Sequence, residues 1–231
     1  MLKFVDMKKI ILLSLCASLF FGSCVKEESS DVKQDKIYTI YELFYNSNTD
    51  KTTAQATFRF GGPGGTLLEL TSPAYAKFNN DNLLFSPVLG IHKKEYAGIV
   101  SSGNYTYLDH DDNFYTNSLT MVNSIAFPSA DSIKNDQAYN FSWVGDPVGT
   151  NETVTLTVNG SQQGNIEIFA TTSPGATEII LAANKLQKLG IGKANCILHR
   201  TYNKPTVAEA PAEGGRMAVW YAATKDIIIS N

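Results

Sequence analysis

The side chains able to do chemistry in this 231-residue chain are few and scattered. His92, His110 and His199 have no His-x-Glu or His-x3-His spacing, so the sequence spells out neither a zinc site nor a Ser-His-Asp triad. Gly-x-Ser-x-Gly is absent, and Gly145 to Thr150 lacks the lysine of a phosphate loop. The nearest thing to a ligand set is Asp109, Asp111 and Asn113, whose alternating oxygens have the spacing of a Ca2+ loop. Phe114 stands where such a loop needs glycine and Thr120 where it needs glutamate; the competing reading is a polar hairpin tip, because Asp and Asn turn the chain readily. Two carboxylates meeting in space to cleave a glycoside remain an alternative that linear order leaves open. No catalytic residue and no other cofactor is assigned, and the chain reads as a non-enzyme. Aromatic rings are the other ligand handle. Trp143 shares a strand face with Tyr139 and Phe141 and reads as core. Trp220 alternates with Ala218 and Ala222, so it is either core or, with small neighbours, a ring open to a ligand. Tyr38 and Phe44 are further ligand-binding candidates, on the second face of their strand.

The elements that would position these groups are strands. Ile37 to Asn46 is apolar on one face and mostly apolar on the other. Further strands are predicted at 51–60, 66–71, 75–80, 94–100, 103–108, 114–118 and 121–127, separated by turns such as Gly61 to Gly65 and Asn79 to Asn82. Pro128 to Asp136 breaks this pattern and marks a domain boundary. A second set follows at 138–144, 152–159, 164–171, 176–182, 194–203 and 216–229. Its clearest member is Glu152 to Val158, where Val154, Leu156 and Val158 face a core and the threonines face water. Ala182 to Gly190 combines helix formers with a terminal glycine, giving one or two helical turns with a Gly C-cap. Many short strands with regular turn signals make an all-β protein of two immunoglobulin-like β-sandwich domains, 37–128 and 129–231.

The first 36 residues read differently. Lys8 and Lys9 precede a twelve-residue apolar run, Ile10 to Phe21, too short to remain as a membrane-spanning helix; Met1 and Met7 are both possible starts. Gly22 and Ser23 then abut Cys24, which makes 1–23 a lipoprotein signal peptide and Cys24 the lipid-modified residue, followed to residue 36 by a charged, flexible tether. Without 1–23 the chain carries 16 basic and 21 acidic residues, net −5, which argues against nucleic acid and against electrostatic attraction to an anionic bilayer. Cys16 falls within the signal, leaving Cys196 unpaired in a strand-like run, where it reads as a buried inert thiol.

The Leu19 to Cys24 segment resembles the signals of Bacteroidota-type lipoproteins, and Lys26-Glu27-Glu28 resembles the tag that sends such proteins to the outer face of the outer membrane. The order of Phe58-Arg59-Phe60-Gly61, Tyr105-Thr106-Tyr107, Phe141-Ser142-Trp143 and Leu189-Gly190 with Arg200 resembles uncharacterised two-domain lipoproteins of that group. Asp131-Ser132-Ile133 looks like their O-glycosylation acceptor, at Ser132. The resemblance implies a cell-surface, outer-membrane lipoprotein, and the leading reading of its function is a non-catalytic binding or structural module. Its expected partners are the membrane, through the lipid, and a glycan or surface protein. A surface hydrolase and a purely architectural subunit are the alternatives.

Overall fold

In a computed structural model of the chain, described for residues 27–161 and 164–231, nearly every element is a strand. In order these are β1 (Glu27–Glu28), β2 (Ile37–Asn46), β3 (Lys51–Phe60), β4 (Thr66–Glu69), β5 (Tyr75–Phe78), β6 (Asp81–Asn82), β7 (Leu84–Ser86), β8 (Ile91–Ala97), β9 (Ser102–Leu108), β10 (Phe114–Thr120), β11 (Ile125–Ala126), β12 (Ser132–Lys134), β13 (Tyr139–Ser142), β14 (Val144–Gly145), β15 (Glu152–Asn159), β16 (Ile166–Thr171), β17 (Glu178–Leu181), the helix α1 (Ala183–Lys188), β18 (Gly192–Lys204) and β19 (Gly215–Ser230). The protein is all-β, built as β-sandwiches.

One sheet runs the length of the molecule in the order β1-β4-β3-β2-β19-β18-β15-β16, with β7 and β8 continuing alongside β3, and β12 on β19. The smaller sheet β10-β9-β5-β6 covers its first half. Between them lies an aromatic core, because Ile37, Tyr41, Leu43 and Tyr45 of β2 point to one side of the pleat and meet Phe58, Phe78, Tyr105 and Tyr107. The second half follows the same logic. Val154, Leu156 and Val158 of β15 face Phe141, Trp143, Ile179 and Leu181, while β13 pairs with β17 on the opposite layer. The arrangement β12-β19-β18-β15-β16 over β13-β17 is immunoglobulin-like: a five-strand layer entered by a parallel first strand, and a second layer reached across the sandwich. The helix α1 makes the crossover into β18, with Gly190 at φ +73 just beyond its C-cap Leu189.

The two cores share a strand. β19 is 16 residues long; its first half pairs in parallel with β2, from Gly215 opposite Thr39 to Ala222 opposite Asn46. Met217 and Val219 complete the first core, Ile227 and Ile229 belong to the second, and Tyr221 touches both. The strand expected at 121–127 reduces to Ile125–Ala126, because the chain crosses between cores there: Met121 and Val122 are buried in the first, Ile125 in the second.

The charged stretch before β2 is also docked rather than free from Glu27 onward. Glu27 and Glu28 pair in parallel with Leu68 and Glu69. Ser29 and Gln34 are buried because their side chains bond inward: Gln34 Nε2 donates to the carbonyls of Ser29 (2.7 Å) and Val32 (2.8 Å), and Thr71 N donates to Ser29 Oγ (3.0 Å). Composition suggested a solvated tether, but satisfied polar side chains are buried readily.

Candidate functional site

On the long sheet, the side chains facing away from both cores are partly exposed at Tyr38, Phe44 and Trp220, while Ile40 and Glu42 between them are buried. Residue alternation puts Tyr38, Ile40, Glu42 and Phe44 of β2 there, opposite the face that builds the first core. Register then sets their neighbours: Phe44 lies opposite Trp220, Glu42 opposite Ala218, and Ala222 opposite His199 of β18. The Phe44 and Trp220 rings meet edge to face, 6.2 Å between centroids at 69°. With Ile197, His199 and Ala222 they line an open apolar depression of about 260 Å³. Ala218 and Ala222 flank Trp220 on its strand, and Trp220 is partly exposed and outside both core clusters, so it belongs to the outer face.

A polar cluster adjoins the ring pair. Gln55 Nε2 donates to Glu42 Oε2 (2.6 Å) and Arg216 Nη2 donates to Glu42 Oε1 (3.4 Å), next along the strands from Phe44 and Trp220. An apolar ring surface beside a carboxylate, an amide and a guanidinium offers both stacking and hydrogen bonding to one ligand. Burial holds His199 below its ordinary pKa of 6.5, so the imidazole at this site is neutral near pH 7. Tyr38 is separate: six residues from Phe44 along β2, about 20 Å, it sits opposite Arg59. Ile197 and His199 were not legible as site residues, since only the β18–β19 register brings them to Trp220.

The other expected positions fall elsewhere. Asp109 is fully buried at the β9–β10 tip, where Oδ1 accepts from the backbone N–H of Asp111 and Asn113 (both 2.9 Å) and Oδ2 from Asn113 Nδ2 (3.0 Å) and Tyr115 OH (3.3 Å). Its oxygens are directed inward to hold the hairpin; Asp111 is exposed and Asn113 is itself a donor to Asp109. Ser132 is exposed on β12, a short strand paired to β19. Trp143 is core, its Nε1 donating to Asp146 O (3.0 Å). Cys196 is fully buried, and desolvation pushes its thiol up to about 12. Cys24 lies outside the described residues.

Two networks escaped the sequence reading. Ser29 Oγ lies 3.1 Å and Thr71 Oγ1 3.2 Å from His110 Nε2, a serine–histidine distance, yet Ser29 is fully buried, so the trio ties down the N-terminal segment. Arg200, nearly inaccessible, pairs with Glu152 (2.8 Å) and donates to the carbonyls of Asp146 and Pro147, fastening the 146–149 loop to β18. Among the described residues no helix is long and apolar enough to cross a membrane.

No protein-family description matches the chain, and no curated protein matches it. Among solved structures it is similar to one concerning host cell surface retention of a 1.5-MDa bacterial ice-binding adhesin, at 15% identity over 84% of this chain and 65% of the other, with a TM-score of 0.26. It is also similar to Salmonella alpha-2-macroglobulin reacted with methylamine, at 10% identity over 81% of this chain and 15% of the other, with a TM-score of 0.26. The chain thus spans less than two thirds of either protein, and overlap at this level carries no argument about function.

Proposed function

We propose that this chain is a non-catalytic binding module held at the outer face of a bacterial outer membrane by a lipid on Cys24, and that its ligand is a glycan. The observation behind this reading is the Phe44–Trp220 pair on a sheet face belonging to neither core, with the Glu42–Gln55–Arg216 cluster beside it. A sugar has the matching chemistry: an apolar C–H face for the rings, and hydroxyls for the Gln55 amide and Arg216 guanidinium that the buried Glu42 carboxylate holds in place. The site is an open face whose adjoining carboxylate, Glu42, is buried and paired with Gln55 and Arg216, a geometry for holding a ligand rather than for the paired carboxylates of glycoside cleavage.

A glycan array probed with residues 27–231 tests this. Trp220→Ala is expected to weaken the best ligand at least about tenfold, equivalent to about 1.4 kcal/mol, while the variant still unfolds cooperatively because the ring is outside both cores. Undiminished binding by that variant would remove the platform from the reading. A second reading, an architectural subunit, has its own support in β16, which ends the long sheet and exposes Ile166 and Ile168. Concentration-dependent self-association that Ile168→Lys abolishes would favour it.

A further inference from the structure

We infer that the end of the first sandwich carrying β1 rests on the lipid surface, with the β7–β8 turn as its apolar foot, so that the second sandwich points away from the membrane. This rests on Cys24 being the lipid-modified residue. Only Val25 and Lys26 lie between Cys24 and Glu27, the first residue paired into the sheet, and three residue steps span at most about 10 Å. The segment after Glu27 has no slack. Ser29, Thr71 and His110 bond one another, and Gln34 Oε1 accepts from His110 N (3.3 Å).

Register gives the direction. β1 runs parallel to β4, with Glu27 opposite Leu68 and Glu28 opposite Glu69. β4 runs antiparallel to β3, with Leu68 opposite Phe58 and Thr66 opposite Phe60. β1 is thus oriented with its N-terminal residue, Glu27, toward the Phe60 end of β3. The second sandwich lies at the other end, because β19 leaves β2 at Ala222, opposite Asn46, and Asn46 pairs with Lys51 at the start of β3. The N-terminal end of β1 and the second sandwich therefore lie toward opposite ends of β3.

An exposed apolar group sits where the anchor joins. Val88 is 93% exposed, Leu84 73% and Leu89 55%. The turn is well formed, with the N–H of Leu89 and Gly90 both donating to Ser86 O (3.1 and 2.8 Å), so these side chains are held out in water by a rigid backbone. Gly90 rests on the side chain of Leu67, so closely that a Cβ would come within 2.7 Å of its Cδ1. Leu67 precedes Leu68, the partner of Glu27. The turn and the anchor attachment are therefore neighbours across β4. Nearby Lys93 and Lys94 are paired with Glu95 and Asp81, which leaves apolar contact rather than charge as the means of meeting a bilayer.

The test uses the full lipoprotein, purified with its acyl group and reconstituted into phosphatidylcholine vesicles containing head-group nitroxide lipid. Val88→Cys is labelled with an environment-sensitive fluorophore; buried Cys196 stays unlabelled. Ile166→Cys, a comparably apolar exposed position on β16, lies about 40 Å away along the strands and serves as the distal probe. The label at 88 is expected to shift to the blue and lose most of its emission to the nitroxide, while the label at 166 is unchanged. Equal quenching at both positions, or none at 88, overturns the inference. Mass analysis of the N-terminal peptide separates the two failures. An acylated Cys24 with an unquenched 88 label leaves the lipoprotein reading standing and ends only this proposal. An unmodified Cys24 ends both.

Discussion

Tyrosine chemistry in the first core shows how a single hydroxyl decides the value of a buried ring. Tyr105 and Tyr107 are both fully buried on β9, two residues apart, and each packs against other rings: Tyr105 stacks on Tyr41 at 4.9 Å and Tyr107 tilts against Phe58 at 4.6 Å. Tyr105 OH donates to Glu42 O at 2.6 Å, whereas Tyr107 OH has no hydrogen-bond partner among the described residues. Desolvation raises both phenols far above their ordinary range, so neither ionises in the folded protein. Tyr105→Phe is therefore expected to cost about 1 kcal/mol, and Tyr107→Phe to be neutral or slightly stabilising, in urea denaturation. Equal costs would mean that the Tyr105–Glu42 bond contributes nothing. Arg200 makes the same point with charge: it is buried, and tolerable there because Glu152 and two carbonyls surround it.

At the scale of elements, the seam between β2 and β19 controls the architecture. The strands approach so closely at its start that a Cβ on Gly215 would collide with Thr39 Oγ1 and lie 2.6 Å from Thr39 O. Gly215→Ala should therefore destabilise by about 1–3 kcal/mol through overpacking. Gly64, in the β3–β4 turn, has nothing within 4 Å of the same added atom, and Gly64→Ala should be neutral or gain up to about 1 kcal/mol by restricting the unfolded chain. Chemical denaturation of the two variants separates a steric seam from a general intolerance of side chains. The loop before Gly215 is itself held in place, since Asn117 accepts from the N–H of Ala208 and Glu209 and donates to Glu209 O.

Across the whole molecule, sharing β19 means that the two sandwiches are not independent. A fragment ending at residue 128 keeps β2 and β3 but loses Met217 and Val219 from its core, and leaves Thr39 to Asn46 of β2 as an open edge. Such a fragment, residues 27–128, is expected to give poorly dispersed amide resonances and no cooperative unfolding transition, while residues 27–231 unfold cooperatively. A well-folded fragment would show that the seam is dispensable. The same continuity puts the Phe44–Trp220 surface where β2 of the first sandwich meets β19, so the candidate site exists only when both halves are assembled.

The sequence alone determined what each stretch is. Alternation marked β3 and β15 to the residue, and Leu189-Gly190 marked the end of α1. The immunoglobulin-like pattern of the second half was legible for the same reason, because period-two alternation and turn residues act within a few positions of one another. Which neighbour each strand would find was decided only in three dimensions. Alternation says that Trp220 and Phe44 each lie on one of two faces, but not that the faces coincide. That depends on a parallel register between residues some 176 positions apart. The docking of Ser29 and Gln34, the burial of Arg200 and the sharing of β19 have the same origin: each is a contact between distant segments, and local composition, which read the first as a flexible tether and the second only as one residue of a strand, does not encode a distant partner.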